Sequence, residues 1–99
     1  MIRIYPLNGL LMQTEKDLHA QLCERLALSP LPDGDWQAAL AAQLTGRDDG
    51  GLILLEFARR MPNELLLPLV GAFTELSRED ARWSFSLCSG RQTCHGENA

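Results

Sequence analysis

An almost unbroken apolar run, LILLEF at 52–57, constrains the fold more than any other segment of the chain. Runs of this length, rich in leucine and isoleucine, are typical of strands that are buried on both faces of a parallel sheet. Parallel strands are joined by long crossover connections, which are usually helices. The run therefore predicts an α/β fold in which the strand at 52–57 lies inside the sheet.

Two further segments have the composition of strands. IRIYPL, at 2–7, contains β-branched and aromatic residues and is followed by the turn-forming pair Asn8-Gly9. RWSFSLC, at 82–88, alternates between apolar and polar side chains. Because helical segments separate the three strands, we expect right-handed crossovers between them. The sequence thus predicts a three-stranded parallel sheet, with short helices packed mainly on one face.

Helical periodicity occupies the segment between the first two strands. Thr14 has the features of an N-cap, and Asp17 three residues later approximates a capping box. The residues that follow carry leucine at every fourth position, which makes one apolar helical stripe: Leu18, Leu22 and Leu26. The loop SPLPDG at 29–34 ends this helix. A second helix is predicted at Trp36–Thr45, with Gly46 as its C′ residue.

The segment before the last strand is harder to interpret. ARRMPNELLL, at 58–67, fits either a short helix or an irregular crossover. Proline suits the first turn of a helix better than its middle, so the last helix is predicted to begin near Leu67 or Pro68 and to end within 75–79. We predict one domain at 1–89 and a flexible C-terminal tail at 90–99, because the tail is polar and contains glycine.

The net charge of −4 restricts the classes of partner. An acidic surface disfavours nonspecific nucleic-acid binding and favours a basic protein partner where the charges cluster. The N-terminus lacks the apolar run of a signal peptide, and no apolar stretch has membrane-spanning length. We therefore expect a cytoplasmic protein that binds no membrane. A monomer is expected in preference to an oligomer. The odd number of cysteines, Cys23, Cys88 and Cys94, fits reduced thiols.

The sequence contains no recognised catalytic motif. It has no nucleophile elbow, no phosphate-binding loop and no zinc-protease helix motif. His19 fits a helix flank, and Glu56 at the end of a strand fits a local cap or ion pair. Cys88, Cys94 and His95 make a weak candidate metal site, because the spacing of the two cysteines is longer than zinc sites use. We expect no enzymatic activity, no cofactor and no bound metal.

Several short motifs, taken in order, resemble the barstar family of small intracellular ribonuclease inhibitors. LNG (7–9) ends the first strand, DLHAQLCERLAL (17–28) is similar to the family's first helix, and LTG (44–46) closes the second. LILLEF, LVGAFTEL (69–76) and WSFSLC (83–88) follow in the expected places. The resemblance covers about residues 1–89. It implies a small α/β inhibitor that inserts its second helix and the preceding loop into the active site of a nuclease, where acidic side chains take the place of substrate phosphates.

The chain departs from the family at the positions that carry this mimicry. Aligned on LTG, the two key aspartates of the second helix are replaced by Ala38 and Ala42, and its tryptophan by Ala41. Arg47 stands where the family has an aromatic residue, and Leu31-Pro32 where it has two tyrosines. The family's contact glutamate on the last helix is retained as Glu75. The resemblance therefore implies the fold together with an altered target.

Helical geometry separates the second helix into two faces. At about 100° per residue, Trp36, Leu40 and Leu44 share the face that packs on the sheet. Ala38 and Ala42 point outward, with Ala41 at the edge, between acids at the two ends of the helix (Asp33 and Asp35, Asp48 and Asp49). We predict that a partner binds at this face, through Leu31, Asp33, Asp35, Ala38, Ala41, Ala42, Arg47, Ala72 and Glu75.

Two functions are open at this point. The first is a barstar-like inhibitor or immunity protein that binds a ribonuclease or another nuclease toxin. The second is a non-inhibitory interaction module on the same fold. The acidic balance favours the first hypothesis, and the missing helix aspartates favour the second.

Overall fold

The computed structural model describes residues 3–89 and the backbone of 94–95. Helical segments separate the first three strands in this part of the chain, as the sequence predicts. The elements are β1 (Ile4–Asn8), α1 (Glu15–Leu26), α2 (Trp36–Thr45), β2 (Gly51–Glu56), α3 (Asn63–Glu79), β3 (Trp83–Cys88) and β4 (Cys94–His95), with 3₁₀ turns at Gly9–Leu11 and Ala58–Arg60. The strand order is β1-β2-β3-β4, and β1, β2 and β3 are parallel. The predicted α/β fold with a three-stranded parallel sheet is confirmed.

The helices cover one face of the sheet, and β2 is fully buried on that face alone, which corrects the expectation for LILLEF. Along β2, buried and half-buried residues alternate, and the buried set includes Ile53 and Leu55. Leu52 and Leu54 point to the other face, are half-buried and lie outside the core cluster. Their neighbour Ile4 on β1 is 56% exposed. On the second face, β1 and β2 therefore leave apolar side chains partly in contact with solvent, whereas Ser86 and Cys88 of β3 are buried there.

The core lies between that buried face and the three helices. α1 contributes its predicted leucine stripe, Leu18, Leu22 and Leu26, all fully buried. The largest buried side chains are Trp83 and Phe73, and the indole N–H of Trp83 donates to the Leu44 carbonyl (3.2 Å). This hydrogen bond satisfies the one polar group of a side chain that is otherwise buried among apolar neighbours. It also ties β3 to the end of α2.

The last helix begins earlier than predicted and contains Pro68 in its interior. Pro62 precedes the helix, and its carbonyl accepts from the amides of Leu65 and Leu66 at 3.0 and 2.9 Å. Pro68 removes one helical hydrogen bond, to the carbonyl of Glu64 in the exposed first turn. Packing of the half-buried leucines in this turn against the core compensates for that loss. Packing against the core therefore outweighs the preference of proline for the first turn of a helix.

The C-terminal segment forms a strand where the sequence predicted only a tail. β4 pairs antiparallel with β3, with Cys88 opposite Cys94 in the register. The rest of the predicted tail, like the side chains of Cys94 and His95, lies outside the described residues. The prediction of reduced thiols is wrong for Cys88, which is disulfide-bonded, whereas Cys23 is a free cysteine.

Candidate functional site

The two faces of α2 lie as helical geometry predicts. Trp36, Leu40 and Leu44 are buried in the core at 6% exposure or less. Ala38 and Ala42 are exposed, and Ala41 is half-buried. The outer face of α2 therefore carries short alanine side chains and has little relief.

Tertiary structure converts this face into one wall of a groove. α3 packs beside α2, and an open cavity of about 640 Å³ lies between them. Its lining contains Gln37, Ala38, Ala41, Ala42, Thr45, Pro68, Gly71, Ala72, Glu75 and Glu79. Five of these ten residues are alanine or glycine, so the floor is low enough for the backbone or a flat side chain of a partner to approach closely. We call this cavity the α2–α3 groove.

Carboxylates stand on the α3 wall of the groove. Glu75 is 60% exposed and accepts a hydrogen bond from Arg78, at 3.1 Å. An exposed pair of this kind contributes little to stability, so Glu75 can exchange Arg78 for a partner's cation at low cost. Glu79 lies one turn further along α3, is exposed and has no ion pair within the described residues. The groove thus combines a smooth apolar floor with negative charge.

The structure brings together five of the nine predicted site residues and leaves four outside the groove. The five in the groove are Ala38, Ala41, Ala42, Ala72 and Glu75. Gln37, Thr45, Pro68, Gly71 and Glu79 line it as well and were not predicted. Helical spacing was the signal for two of them, because Thr45 extends the alanine stripe and Glu79 follows Glu75 by four residues. Whether the nine residues bind a partner stays a prediction.

The loop before α2 is tied to the helix by one side chain. The Gln43 amide accepts from the Ser29 amide (2.8 Å) and donates to the Ser29 carbonyl (3.1 Å). Leu31 is half-buried and packs against the core, so it holds the loop in place. A loop fixed in this way loses little conformational entropy when a partner binds.

Asp33 and Asp35, which precede α2, keep their carboxylates free of the helix. Asp35 occupies the N-cap position of α2 but makes no side-chain cap hydrogen bond. By contrast, Thr14 caps α1 with its hydroxyl oxygen, which accepts from the amide of Asp17 at 3.1 Å. Both loop aspartates are exposed and are available to an external cation.

The two N-cap positions should therefore respond differently to the same substitution. We expect Thr14→Ala to lower the free energy of unfolding by about 1 kcal/mol, because it removes a cap hydrogen bond. Asp35→Ala removes only a favourable charge near the helix dipole and should cost about 0.5 kcal/mol or less. Urea denaturation of both variants measures the difference. Equal losses would contradict the absence of a side-chain cap on α2.

Arg47 is engaged inside the molecule. Its guanidinium donates to Asp49 at 3.0 and 3.1 Å, to the Tyr5 hydroxyl at 3.3 Å and to the carbonyl of Leu26. It also lies 5.7 Å from the ring centroids of both Tyr5 and Trp83. Three elements of the chain meet at this side chain. Arg47 therefore links these elements to one another and lies outside the groove, although the sequence predicted it among the partner-binding residues.

Hydrogen bonds from Arg47 and, second, from Tyr5 lower the pKa of the Asp49 carboxyl to about 2. A carboxyl whose pKa is lowered by folding stabilises the folded state above its unfolded pKa, about 3.9. That contribution is lost as the pH falls through about 2. We expect the Asp49→Asn variant to have a lower melting temperature than the unsubstituted protein at pH 7. The difference between the two melting temperatures should decrease between pH 4 and pH 2. Thermal melts across this range test the expectation, and a gap that does not change with pH would refute it.

A second cavity, of about 510 Å³, lies beside α1 and is lined by Glu15, Lys16, His19 and Asp33. The Nε2 atom of His19 is buried there without a hydrogen bond and lies 3.7 Å from a Glu15 oxygen. The imidazole ring packs 5.6 Å from the ring of Trp36. His19 is therefore a helix-flank residue that supports the first turn of α2, as the sequence suggested.

The described residues contain no group of three or more metal-ligating side chains placed to hold an ion. Cys88 of the candidate metal site is disulfide-bonded and so offers no thiolate to a metal, and the side chains of Cys94 and His95 lie outside the described residues. Glu56 makes no ion pair with any described residue. In the part of the chain that is described, none of the helices has the length and hydropathy of a membrane span.

Comparison with known proteins provides no assignment. The chain matches no protein-family model, no curated protein and no solved structure.

Proposed function

We propose that this protein binds another protein in the α2–α3 groove and inhibits it, in the manner of a barstar-like inhibitor of a ribonuclease or other nuclease toxin. One observation supports the proposal above the others. A smooth floor of alanine and glycine lies beside exposed carboxylates, Glu75 and Glu79, in a groove whose walls are both helices. Rigid walls of this kind lose little entropy on binding, and negative charge attracts the basic active site of a nuclease.

Inhibition requires no chemistry from the inhibitor. A nuclease binds the phosphates of its substrate with arginine, lysine and histidine side chains, and an acidic surface that covers them excludes the substrate. In this chain the negative charge comes from the ends of α2 and from α3, because Ala38 and Ala42 place none at the helix centre. Asp33 and Asp35 contribute carboxylates without a cap hydrogen bond. We propose no catalytic activity and no cofactor, and a monomer that acts by covering its target.

A non-inhibitory interaction module is the second candidate, and Ala38 and Ala42 favour it. The centre of the exposed helix face carries no charge, so the groove also suits a partner that binds mainly by apolar contact. Such a partner would not need a basic active site.

Capture followed by an activity assay distinguishes the two functions. Tagged protein recovers its partner from the source lysate, and the partner is then purified and assayed for cleavage of RNA and DNA with and without the inhibitor. Loss of nuclease activity at one equivalent, and rescue of cell growth on co-expression, support inhibition. A recovered partner without nuclease activity, or a nuclease whose activity is unaffected, contradicts it.

The proposed cytoplasmic location is tested by the state of Cys88. Disulfides are rare in the cytoplasm, where thiols are kept reduced. Alkylation of thiols in freshly lysed cells, read by mass spectrometry, shows whether Cys88 is oxidised in place. A modified, reduced Cys88 supports the cytoplasm, and a protected one supports an oxidising compartment.

A further inference from the structure

The carboxyl ends of β1 and β2 lead into two 3₁₀ turns that lie against each other. Gly9–Leu11 follows β1, and Ala58–Arg60 follows the end of β2. The side-chain amide of Gln13 joins them, because it donates to the carbonyl of Gly9 at 3.2 Å and to that of Arg60 at 3.1 Å. The two turns therefore form one continuous surface at this end of the sheet.

The backbone beneath this surface is held in place. Phe57 adopts a left-handed conformation with φ of 57°, which is unfavourable for a residue with a side chain. Gly9 packs so closely on the Phe57 carbonyl that a Cβ atom at this position would overlap its oxygen. The Asn8 side chain accepts from the amide of Leu10 at 3.0 Å. The turns are preorganised, so a ligand does not have to order them.

Two adjacent leucines project from the first turn. Leu10 is 43% exposed and Leu11 is 55% exposed, and they belong to the few large apolar side chains that the fold leaves in solvent. Contact of such side chains with an apolar partner is favourable, because it removes apolar surface from water.

Two arginines without ion pairs lie on the second turn. Arg59 and Arg60 are exposed, and neither forms a salt bridge or a side-chain hydrogen bond within the described residues. Four other arginines do pair with carboxylates: Arg3, Arg47, Arg78 and Arg82. Glu56 ends the neighbouring strand but lies beyond ion-pair distance of both. This is a locally basic surface on a chain whose net charge is −4.

We propose that Leu10, Leu11, Arg59 and Arg60 form a second docking surface, the leucine–arginine edge, which binds an acidic segment of a protein partner with apolar residues on the same face. The leucines bury the apolar side chains of that segment. The guanidinium groups pair with its carboxylates, which they can bind in a bidentate manner. None of the four residues lines the α2–α3 groove, so the protein presents two docking surfaces of opposite charge.

A peptide of defined chemistry tests this surface without knowledge of the natural partner. The probe is a short amphipathic helical peptide of leucine and glutamate, titrated into ¹⁵N-labelled full-length protein. We expect chemical-shift changes that cluster at residues 9–13 and 57–61. The matched peptide of leucine and lysine should cause none there. Equal shift changes at residues 9–13 and 57–61 with both peptides, or shifts from the acidic peptide confined to the groove, would overturn the proposal.

Charge and apolar contact are tested separately by substitution. Arg59→Glu with Arg60→Glu should weaken binding of the acidic peptide about tenfold or more, because it removes the charge pairing. Leu10→Ser with Leu11→Ser should weaken binding by a similar factor, because it removes the apolar contact. Lys16→Glu with Arg25→Glu changes the net charge equally on exposed positions of α1 and should leave affinity unchanged. An equal loss in this control would mean that only net charge matters, which overturns the proposal.

Two other anionic ligands and a groove variant distinguish this proposal from its alternatives. Binding of phosphatidylglycerol vesicles or of an RNA oligonucleotide at residues 9–13 and 57–61, without binding of the acidic peptide, would overturn the assignment to a protein segment. A variant with Ala38→Arg and Ala42→Arg should bind the acidic peptide as the unsubstituted protein does. Failure of the groove proposal and failure of this one are therefore observed independently.

Discussion

Substitution of Ala38 and Ala42 by arginine is expected to abolish partner binding while the protein stays folded. Both residues are exposed on the wall of the α2–α3 groove, and arginine is a good helix former. Two long cationic side chains would fill the groove and repel a basic partner. We expect the affinity for the recovered partner to fall at least about a hundredfold, which corresponds to about 2.7 kcal/mol.

The matched control places the same two charges elsewhere. Ala20 on α1 and Thr74 on α3 are exposed helical positions that do not line the groove. Ala20→Arg with Thr74→Arg should retain binding, as measured by isothermal titration calorimetry. Unchanged affinity in the groove variant would mean that the partner uses another surface. Unfolding of the groove variant would contradict the exposure of Ala38 and Ala42.

Gly9→Ala is expected to destabilise the protein strongly, although it adds only one methyl group. A Cβ atom on Gly9 would overlap the Phe57 carbonyl oxygen and lie 2.9 Å from that of Glu56. These are backbone atoms at the end of β2, so the clash cannot be relieved by a side-chain rotation. We expect a loss of about 3 kcal/mol, at the upper end of the range for overpacking. For a domain of this size, the midpoint of thermal unfolding should fall by more than about 10 °C.

The same substitution at Gly71 should have the opposite sign. Gly71 lies inside α3, and no atom would lie within 4 Å of an added Cβ, apart from the helix's own backbone. Alanine is a better helix former than glycine, so Gly71→Ala should stabilise the protein by about 0.5–1 kcal/mol. Thermal and urea denaturation of both variants measure the contrast. Equal effects would contradict the close approach of the turn after β1 to the end of β2.

The sequence predicted each element that has a strong period. The leucine stripe of α1, the inner and outer faces of α2 and the three parallel strands all lie where spacing placed them. Prediction was weaker where a local rule competes with packing. Pro68 favoured a helix start, but the leucines before it gain more by extending the helix onto the core. LILLEF matched a strand buried on both faces, but the described helices pack on one face of β2.

The candidate site, too, was predicted from the sequence only in part. The smooth outer face of α2 followed from Ala38, Ala41 and Ala42, whose directions depend only on helical period. Arg47 was misplaced because its neighbours in space, Tyr5 and the carbonyl of Leu26, are far from it in the sequence. Spacing within the sequence did not indicate that Gly71 lines the groove. Its place in the groove depends on α3 packing beside α2.

Taken by itself, the sequence determined the fold class, the direction in which each periodic element faces its core, and the alanine surface on α2. Backbone geometry dictates these properties within single segments, so spacing is sufficient to read them. Only the tertiary structure decided that α3 completes a groove with Glu75 and Glu79 on its wall, and that the turn carrying Leu10 and Leu11 packs against the turn carrying two arginines without ion pairs. Each of these depends on distances between residues remote in the chain, which the packing of the core sets.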